Sequence, residues 1–196
     1  MRSLPLVAAA VLGVLGSTAG AEPPALAKPS DVTARLHDYY GTRKGYEEVT
    51  RDVMKWHKTA LNGCVAFAST ALRHVGVAIP VDGKLDGLGV SRITGAFSRY
   101  LTGELGWSRV DTMAELHPGD IVFSTDAPCC PGYPNHVMMF DGWSRRDQAV
   151  ALVVDNQGFH VARQLIPAAD SDVDGFGYAL RPPAAAAPAP AAATAR

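Results

Sequence analysis

The spacing of apolar residues changes along this chain, and the change limits the folds that it can adopt. Between Asp31 and Gly76 the apolar residues recur every three or four positions, as on one face of a helix, with a break at Gly41 to Gly45. From Leu116 onward they form short runs opened by turn residues, which is typical of strands. Helices followed by strands predict an α+β fold in which N-terminal helices pack on an antiparallel sheet.

Three runs are predicted to be strands of this sheet, namely 121–123, 136–140 and 149–154. Pro118-Gly119-Asp120 forms a turn in front of the first run. Between the helices and the strands, residues 88–107 mix glycine with polar residues, and a helix is expected only around 93–101.

The segment from Asn62 to Gly76 gives the clearest helix prediction. Asn62 is a suitable N-cap, Gly76 is a suitable stop, and the apolar positions between them fall on one face. Cys64 therefore lies in the first turn of the predicted helix.

The first residues have the pattern of an export signal. Arg2 provides a positive charge, the stretch from Leu4 to Leu15 is apolar, and Ala19-Gly20-Ala21 fits a cleavage site. A buried helix or a membrane anchor is the alternative, but the apolar stretch is shorter than the roughly 20 residues of a membrane span. We expect a signal peptide at 1–21, no stable membrane anchor in the mature protein, and a periplasmic or extracellular location.

Composition divides the rest of the chain into one domain and two flanking segments. Residues 22–30 are rich in Pro and Ala and are expected to form a linker. Residues 183–196 are almost wholly Ala and Pro, too small and too stiff to bury a core, and are expected to form a disordered tail. Residues 31–182 remain for a single domain. Lys and Arg total 18 against 19 for Asp and Glu, without a run of like charges, so no nucleic acid partner is expected.

The chain has three cysteines, and export would place them where disulfides form. An odd number leaves at least one of them free or bound to another chain. Cys129 and Cys130 are adjacent, and three interpretations stay open: a bridge between the two, a bridge to a partner chain, or a metal site shared with His136. Few further ligands lie nearby in the sequence, so no metal is expected.

Cys64 is placed where a thiol can act as a nucleophile. The N–H groups and the dipole of a helix start favour a thiolate, and the same N–H groups can hold the oxyanion that forms when sulfur attacks a carbonyl. Asn62 is a candidate for a second oxyanion donor, and Gly63 would let a substrate approach closely. The alternative is that Cys64 is simply a small apolar residue of the helix face, as free cysteines often are.

A catalytic thiol needs a general base, and His136 is the best placed of the six histidines. It opens a predicted strand after a loop bounded by Pro134, where its side chain can reach a helix start packed on the sheet. The other histidines fit helix ends, a helix face, a turn and the far side of the sheet: His57, His74, His37, His117 and His160.

The base in turn needs a group that fixes its tautomer. If the last two predicted strands pair through a turn at 144–147, Met139 faces Leu152 and His136 faces Asp155. A slip of one residue would bring Asn156 opposite His136 instead. Either side chain can hold an imidazole N–H, so Asp155 is preferred and Asn156 stays open. The alternative is that both belong to an ordinary polar turn.

The order of these segments resembles a known family. A helix-borne Cys64 is followed by Leu-x-Pro-Gly-Asp-Ile-Val-Phe at 116–123, by Asn-His-Val-Met-Met-Phe-Asp-Gly at 135–142, and by a strand that ends in a polar residue. This order is similar to that of NlpC/P60 and CHAP domains, papain-like cysteine peptidases that hydrolyse bacterial cell wall. The resemblance covers roughly 62–182.

The resemblance implies a papain-like fold and a cysteine peptidase or amidase that cleaves peptidoglycan stem peptides without a cofactor. It implies Cys64 as the nucleophile, His136 as the proton carrier and Asp155 or Asn156 as the orienting residue. The residues before the cysteine are Asn62-Gly63, where those families usually carry Tyr-Asp or Gln, so the bond cleaved stays open. Two alternatives remain: a thioester acyltransferase resolved by an amine, and a non-catalytic module of the same fold that binds cell wall or a protein.

Overall fold

The computed structural model describes residues 31–166 and 175–183. The expected signal peptide, the linker and the tail beyond Pro183 lie outside these residues. Within them, four helices accompany a six-stranded antiparallel sheet, so the chain is α+β as predicted. No helix in the described residues is long and apolar enough to cross a bilayer.

Two helices begin the domain: α1 spans Asp31–Tyr40 and α2 spans Arg43–Trp56. The chain turns between them at Gly41 and Thr42. The Thr42 hydroxyl accepts a hydrogen bond from the Gly45 N–H at 3.1 Å and caps α2. The break expected in this region therefore separates two helices.

The third helix, α3, spans Cys64–His74 and has the most continuously buried sequence of the helices described. Its N-cap is Gly63 and not Asn62, so the N-cap prediction is wrong by one residue. The reason is local: Asn62 adopts a left-handed φ of 54° in the preceding turn, and the first helical hydrogen bond runs to the Gly63 carbonyl. Gly76, with a φ of 87°, follows the helix end, as expected for a C-terminal stop.

A long connection leads from α3 to the sheet. It contains a short hairpin of β1, Lys84–Leu85, and β2, Leu88–Gly89, which was not predicted. Helix α4 spans Thr94–Arg99 and continues into one π-helical turn, Tyr100–Glu104, in place of the single helix expected around 93–101.

The six strands of the main sheet are β3 Ser108–Val110, β4 Ile121–Ser124, β5 Val137–Arg145, β6 Val150–Asp155, β7 Gly158–Gln164 and β8 Phe176–Arg181. Their order across the sheet is β3-β8-β4-β5-β6-β7, and each neighbouring pair is antiparallel. The three predicted strands are β4, β5 and β6. The other three are more exposed and contain polar residues or glycine among their apolar ones, so their apolar signal is weaker.

The sheet carries an apolar cluster on each face, because successive side chains of a strand point to opposite sides. On the face covered by the helices, Ile121, Phe123, Val137 and Met139 share a cluster with Phe67 of α3. The opposite face includes Val122, Met138, Phe140, Val153 and Ala179. Helix α3 contacts β5 and β6, and this contact carries Cys64 to the same cleft as His136.

Candidate active site

Cys64 is the first residue of α3, and its side chain is partly exposed at the cleft. The next residues along the helix are buried, so the cysteine lies where the helix leaves the core. The first intrahelical bond joins the Phe67 N–H to the Gly63 carbonyl at 2.9 Å, which leaves the Cys64 N–H without a helical acceptor. A thiolate and an oxyanion would both be favoured at this position.

His136 directly precedes β5 and is held by its backbone. Its N–H donates to the hydroxyl of Ser124, the last residue of β4, at 2.8 Å, and its carbonyl accepts from the Ser124 N–H at 3.1 Å. The imidazole is buried. These contacts fix the ring at the edge of the cleft.

Asp155 is the last residue of β6, and its buried carboxylate holds the imidazole. Oδ2 accepts a hydrogen bond from His136 Nε2 at 2.8 Å. Oδ1 accepts from the backbone N–H groups of Gln157 and Gly158 at 2.7 and 3.2 Å. Because Nε2 is engaged by Asp155, Nδ1 is the ring nitrogen left for Cys64.

Arg163 completes this network and was missed by the sequence analysis. From β7 its largely buried guanidinium donates to Asp155 Oδ2 through Nε and Nη2, at 3.2 and 3.0 Å, and Nη2 also donates to the Gln157 side chain at 2.6 Å. The signal that could have found it is the Phe-His-Val run at 159–161, which directly follows the turn residues at 155–158. Aromatic and β-branched residues after a turn predict a strand returning from the Asp155 turn.

The charges of the site reinforce one another. Burial raises the pKa of Asp155, but the hydrogen bond and charge of His136, followed by the charge of Arg163, outweigh it and hold that pKa below its usual 3.8. Burial likewise lowers the pKa of His136, but its interactions with Asp155 and Cys64 raise it from 6.5 to about 9. At neutral pH an imidazolium therefore lies between a carboxylate and the Cys64 sulfur.

The pairing of His136 with Asp155 arises in a register different from the one predicted. Met139 pairs with Val154 and not with Leu152, so the expected register is wrong by two residues at this end of the hairpin. The connection contains a 3₁₀ turn at 146–148, and β5 carries two irregularities against β6. The extra residues displace the strands by an even number, which keeps the same side chains on the same face.

A cleft of about 620 Å³ opens beside Cys64 and His136. Its walls come from the loop before α3, the segment before α4, the loop before β5 and the β6–β7 turn, including Leu61, Asn62, Arg92, Ile93, Tyr133, Asn135, Asn156 and Gln157. A substrate chain can thus reach the sulfur from solvent.

Among the other predicted site residues, Asn62 and Asn156 line the cleft and Gly63 does not. Asn62 is exposed and lines the cleft, whereas Gly63 is buried, does not line it, and donates its N–H to the Ala60 carbonyl at 3.1 Å. Asn156 lines the cleft but does not hold His136. Its Nδ2 donates to the same Ala60 carbonyl at 2.9 Å and ties the β6–β7 turn to the loop before Cys64.

Cys129 and Cys130 form a disulfide with each other, and Cys130 lines the cleft. Backbone hydrogen bonds hold their loop, from Cys130 N–H to the Ala127 carbonyl and from Tyr133 N–H to the Cys130 carbonyl, at 2.8 and 3.0 Å. Among the described residues, no group of three or more His, Cys, Asp or Glu side chains is arranged to hold a metal ion. The structure thus favours the bridge between neighbours over the other two interpretations.

No family model matches this chain, and no match is found among curated proteins or among solved structures. What the site can do chemically is therefore inferred from its own geometry.

Proposed function

We propose that this protein is a cysteine hydrolase that cleaves amide bonds through a thioester on Cys64. The observation that carries the proposal is the position of His136, whose ring lies between Asp155 and Cys64 in a buried, charged network at the edge of an open cleft. A nucleophile, a proton carrier and an orienting group in this order form the general arrangement of nucleophilic catalysis.

In the first half of the reaction, the Cys64 sulfur attacks the carbonyl carbon of the substrate. The Cys64 N–H at the start of α3 is placed to stabilise the oxyanion. The carbon–nitrogen bond then breaks as His136 Nδ1 gives its proton to the leaving amine, and the acyl group remains on sulfur as a thioester.

In the second half, neutral His136 takes a proton from water while the water oxygen attacks the thioester. The carbon–sulfur bond breaks, the carboxylic acid leaves, and the thiolate and the imidazolium are restored. Asp155 keeps its bond to Nε2 throughout, and Arg163 keeps Asp155 in position.

The substrate that we propose is the stem peptide of peptidoglycan, cut outside the cytoplasm, and the fold that we propose is papain-like, of the NlpC/P60 type. The support is the resemblance of the segments around 64, 116–123 and 135–142 to cell-wall hydrolases, together with the export pattern at 1–21. A helix that carries the cysteine and packs on an antiparallel sheet agrees with this proposal.

The test is alkylation of Cys64 by iodoacetamide between pH 4 and 9, mapped by mass spectrometry. Because Cys129 and Cys130 are bridged, Cys64 is the thiol that reacts under non-reducing conditions. At pH 6, where a free thiol is almost fully protonated, we expect Cys64 to react at least about tenfold faster than glutathione.

Two variants test whether His136 is the group that makes Cys64 reactive. His136→Ala removes the fast reaction at pH 6, whereas His74→Ala, at the other end of α3, keeps it. The wild-type protein is then expected to release new amino groups from purified sacculi, and Cys64→Ala is not. A Cys64 that reacts only at high pH, with or without His136, would rule out the hydrolase and favour a binding module.

A further inference from the structure

The charges that line the cleft are unevenly distributed. Among the described residues of its walls, Arg92 is the one side chain with a permanent charge, and none of them is Asp or Glu. The other groups are His136, Cys64 and neutral side chains such as Asn62 and Tyr133. A ligand that enters this cleft therefore meets a cation and no fixed wall carboxylate.

Arg92 is held in position by the end of α2. Its guanidinium lies over the ring of Trp56, 5.1 Å from the centroid, and its Nη1 donates to Nδ1 of His57 at 3.4 Å. Burial, and then the charge of Arg92, lower the pKa of His57, which favours the neutral imidazole, and a neutral imidazole has one ring nitrogen that can accept this bond. The guanidinium of Arg73 also lies over the Trp56 ring, 5.5 Å from its centroid. The guanidinium is thus preorganised before any ligand arrives.

The ion pair between Arg92 and its acidic neighbour Asp82 is weak. Nη2 lies 3.7 Å from Oδ1 of Asp82, whose side chain is 87% exposed, while that of Arg92 is 44% exposed. Ion pairs of this kind contribute little because water and salt screen them. A guanidinium offers paired N–H groups that match a carboxylate, so a ligand carboxylate can replace Asp82 at small cost.

We propose that Arg92 forms a carboxylate-binding subsite of the cleft, and that the preferred substrates carry a free carboxylate close to the amide that is cut. This inference rests on the proposed function of Cys64 and names a feature of its substrate. Amide substrates whose corresponding carboxylate is itself amidated would be poorer substrates.

The test uses alkylating probes in matched pairs and does not require the natural substrate. N-iodoacetyl derivatives of glycine, β-alanine and 6-aminohexanoic acid are compared with the same compounds ending in a carboxamide. For each spacer, the rate of Cys64 modification by the acid is divided by the rate for the amide, and the ratio is normalised to that of glutathione. The three spacers cover different distances between sulfur and carboxylate.

For at least one spacer we expect a normalised ratio above one in the wild-type protein. Arg92→Gln should lower it by about two- to fivefold, the range of a half-exposed ion pair, and Arg92→Lys should keep most of it. Arg109→Gln is the matched control, because Arg109 also lies over an aromatic ring, that of Tyr178, but does not line the cleft. It should leave the ratio unchanged.

A second variant keeps the inference testable if Arg92→Gln does not fold. Asp82→Asn removes the competing carboxylate at an exposed position and should raise the ratio. Ratios that are the same in wild type, Arg92→Gln and Asp82→Asn for every spacer, with Cys64 still reacting rapidly, would overturn the subsite alone. Slow reaction of Cys64 with acid and amide alike, insensitive to His136, would instead overturn the proposed function.

Discussion

Replacing Asp155 with Asn removes one charge from the site and little else. The side chain keeps its size, and its oxygen can still accept from His136 Nε2, so the geometry of the ring is largely preserved. The same oxygen would still accept from Arg163, which shares Oδ2 with His136, while the amide nitrogen would replace Oδ1 and face the N–H groups of Gln157 and Gly158. The variant therefore separates the charge of Asp155 from its shape.

Two magnitudes follow from the structure. A carboxylate at hydrogen-bond distance shifts the pKa of its partner by about 1 to 3, so the pKa of His136 should fall from about 9 to between about 6 and 8. Asp155 is fully buried between His136 and Arg163, and breaking a buried ion pair of this kind costs about 3 to 5 kcal/mol of unfolding free energy.

The pKa of His136 is measured by NMR titration of its ring proton, and stability by urea unfolding at pH 7. Asp111→Asn is the control, because Asp111 is an exposed aspartate that pairs with exposed Arg109 outside the cleft. We expect that control to change the unfolding free energy by less than about 0.5 kcal/mol and to leave the His136 titration unchanged. A His136 pKa that stays near 9 in Asp155→Asn would refute the assignment of Asp155 as the orienting residue.

Three further outcomes are expected. Because the pKa of His136 is raised from 6.5 to about 9, this residue contributes about 3 kcal/mol of stability that is complete below pH 6.5 and is lost as the pH rises through 9. Urea unfolding between pH 6 and 10 should show this fall in the unfolding free energy, and His136→Gln should abolish it. Gly63→Ala would place a Cβ 2.9 Å from the Ala60 carbonyl oxygen, so it should cost about 1 to 3 kcal/mol in unfolding and slow Cys64 alkylation, and an unchanged rate would contradict this packing. Asp120→Asn removes the charge of a buried carboxylate that accepts from Arg181 at 2.8 and 2.6 Å. It should cost about 3 to 5 kcal/mol of unfolding free energy, yet folded molecules should alkylate at the wild-type rate.

Part of the site follows from patterns of a few neighbouring residues. Helix spacing and turn residues placed Cys64 in the first turn of α3 and His136 at the start of β5, within one or two residues of the observed bounds. Such patterns depend on backbone geometry, caps and turn propensities, which act over three or four positions. The N-cap was misplaced because Asn62 and Gly63 are both acceptable caps on local grounds.

The pairing of His136 with Asp155 was predicted from an assumed turn, and the observed register differs from the assumed one. The 3₁₀ turn at 146–148 and the irregularities of β5 cannot be counted from apolar alternation, because an even shift leaves the alternation unchanged. Asn156, which a slip of one residue would have brought to His136, instead bonds to Ala60.

The sequence by itself determined the class of fold, the helix that presents Cys64, and the choice of His136 as the histidine nearest to it, because each depends on local spacing. Tertiary structure alone decided that Arg163 supports Asp155, that Cys129 and Cys130 bridge each other, and that Arg92 faces the cleft. The bridge between the adjacent Cys129 and Cys130 was one of three interpretations that the sequence left open. The other two features are contacts at short distance between different elements of the fold. Such distances exist only after the helices have packed on the sheet.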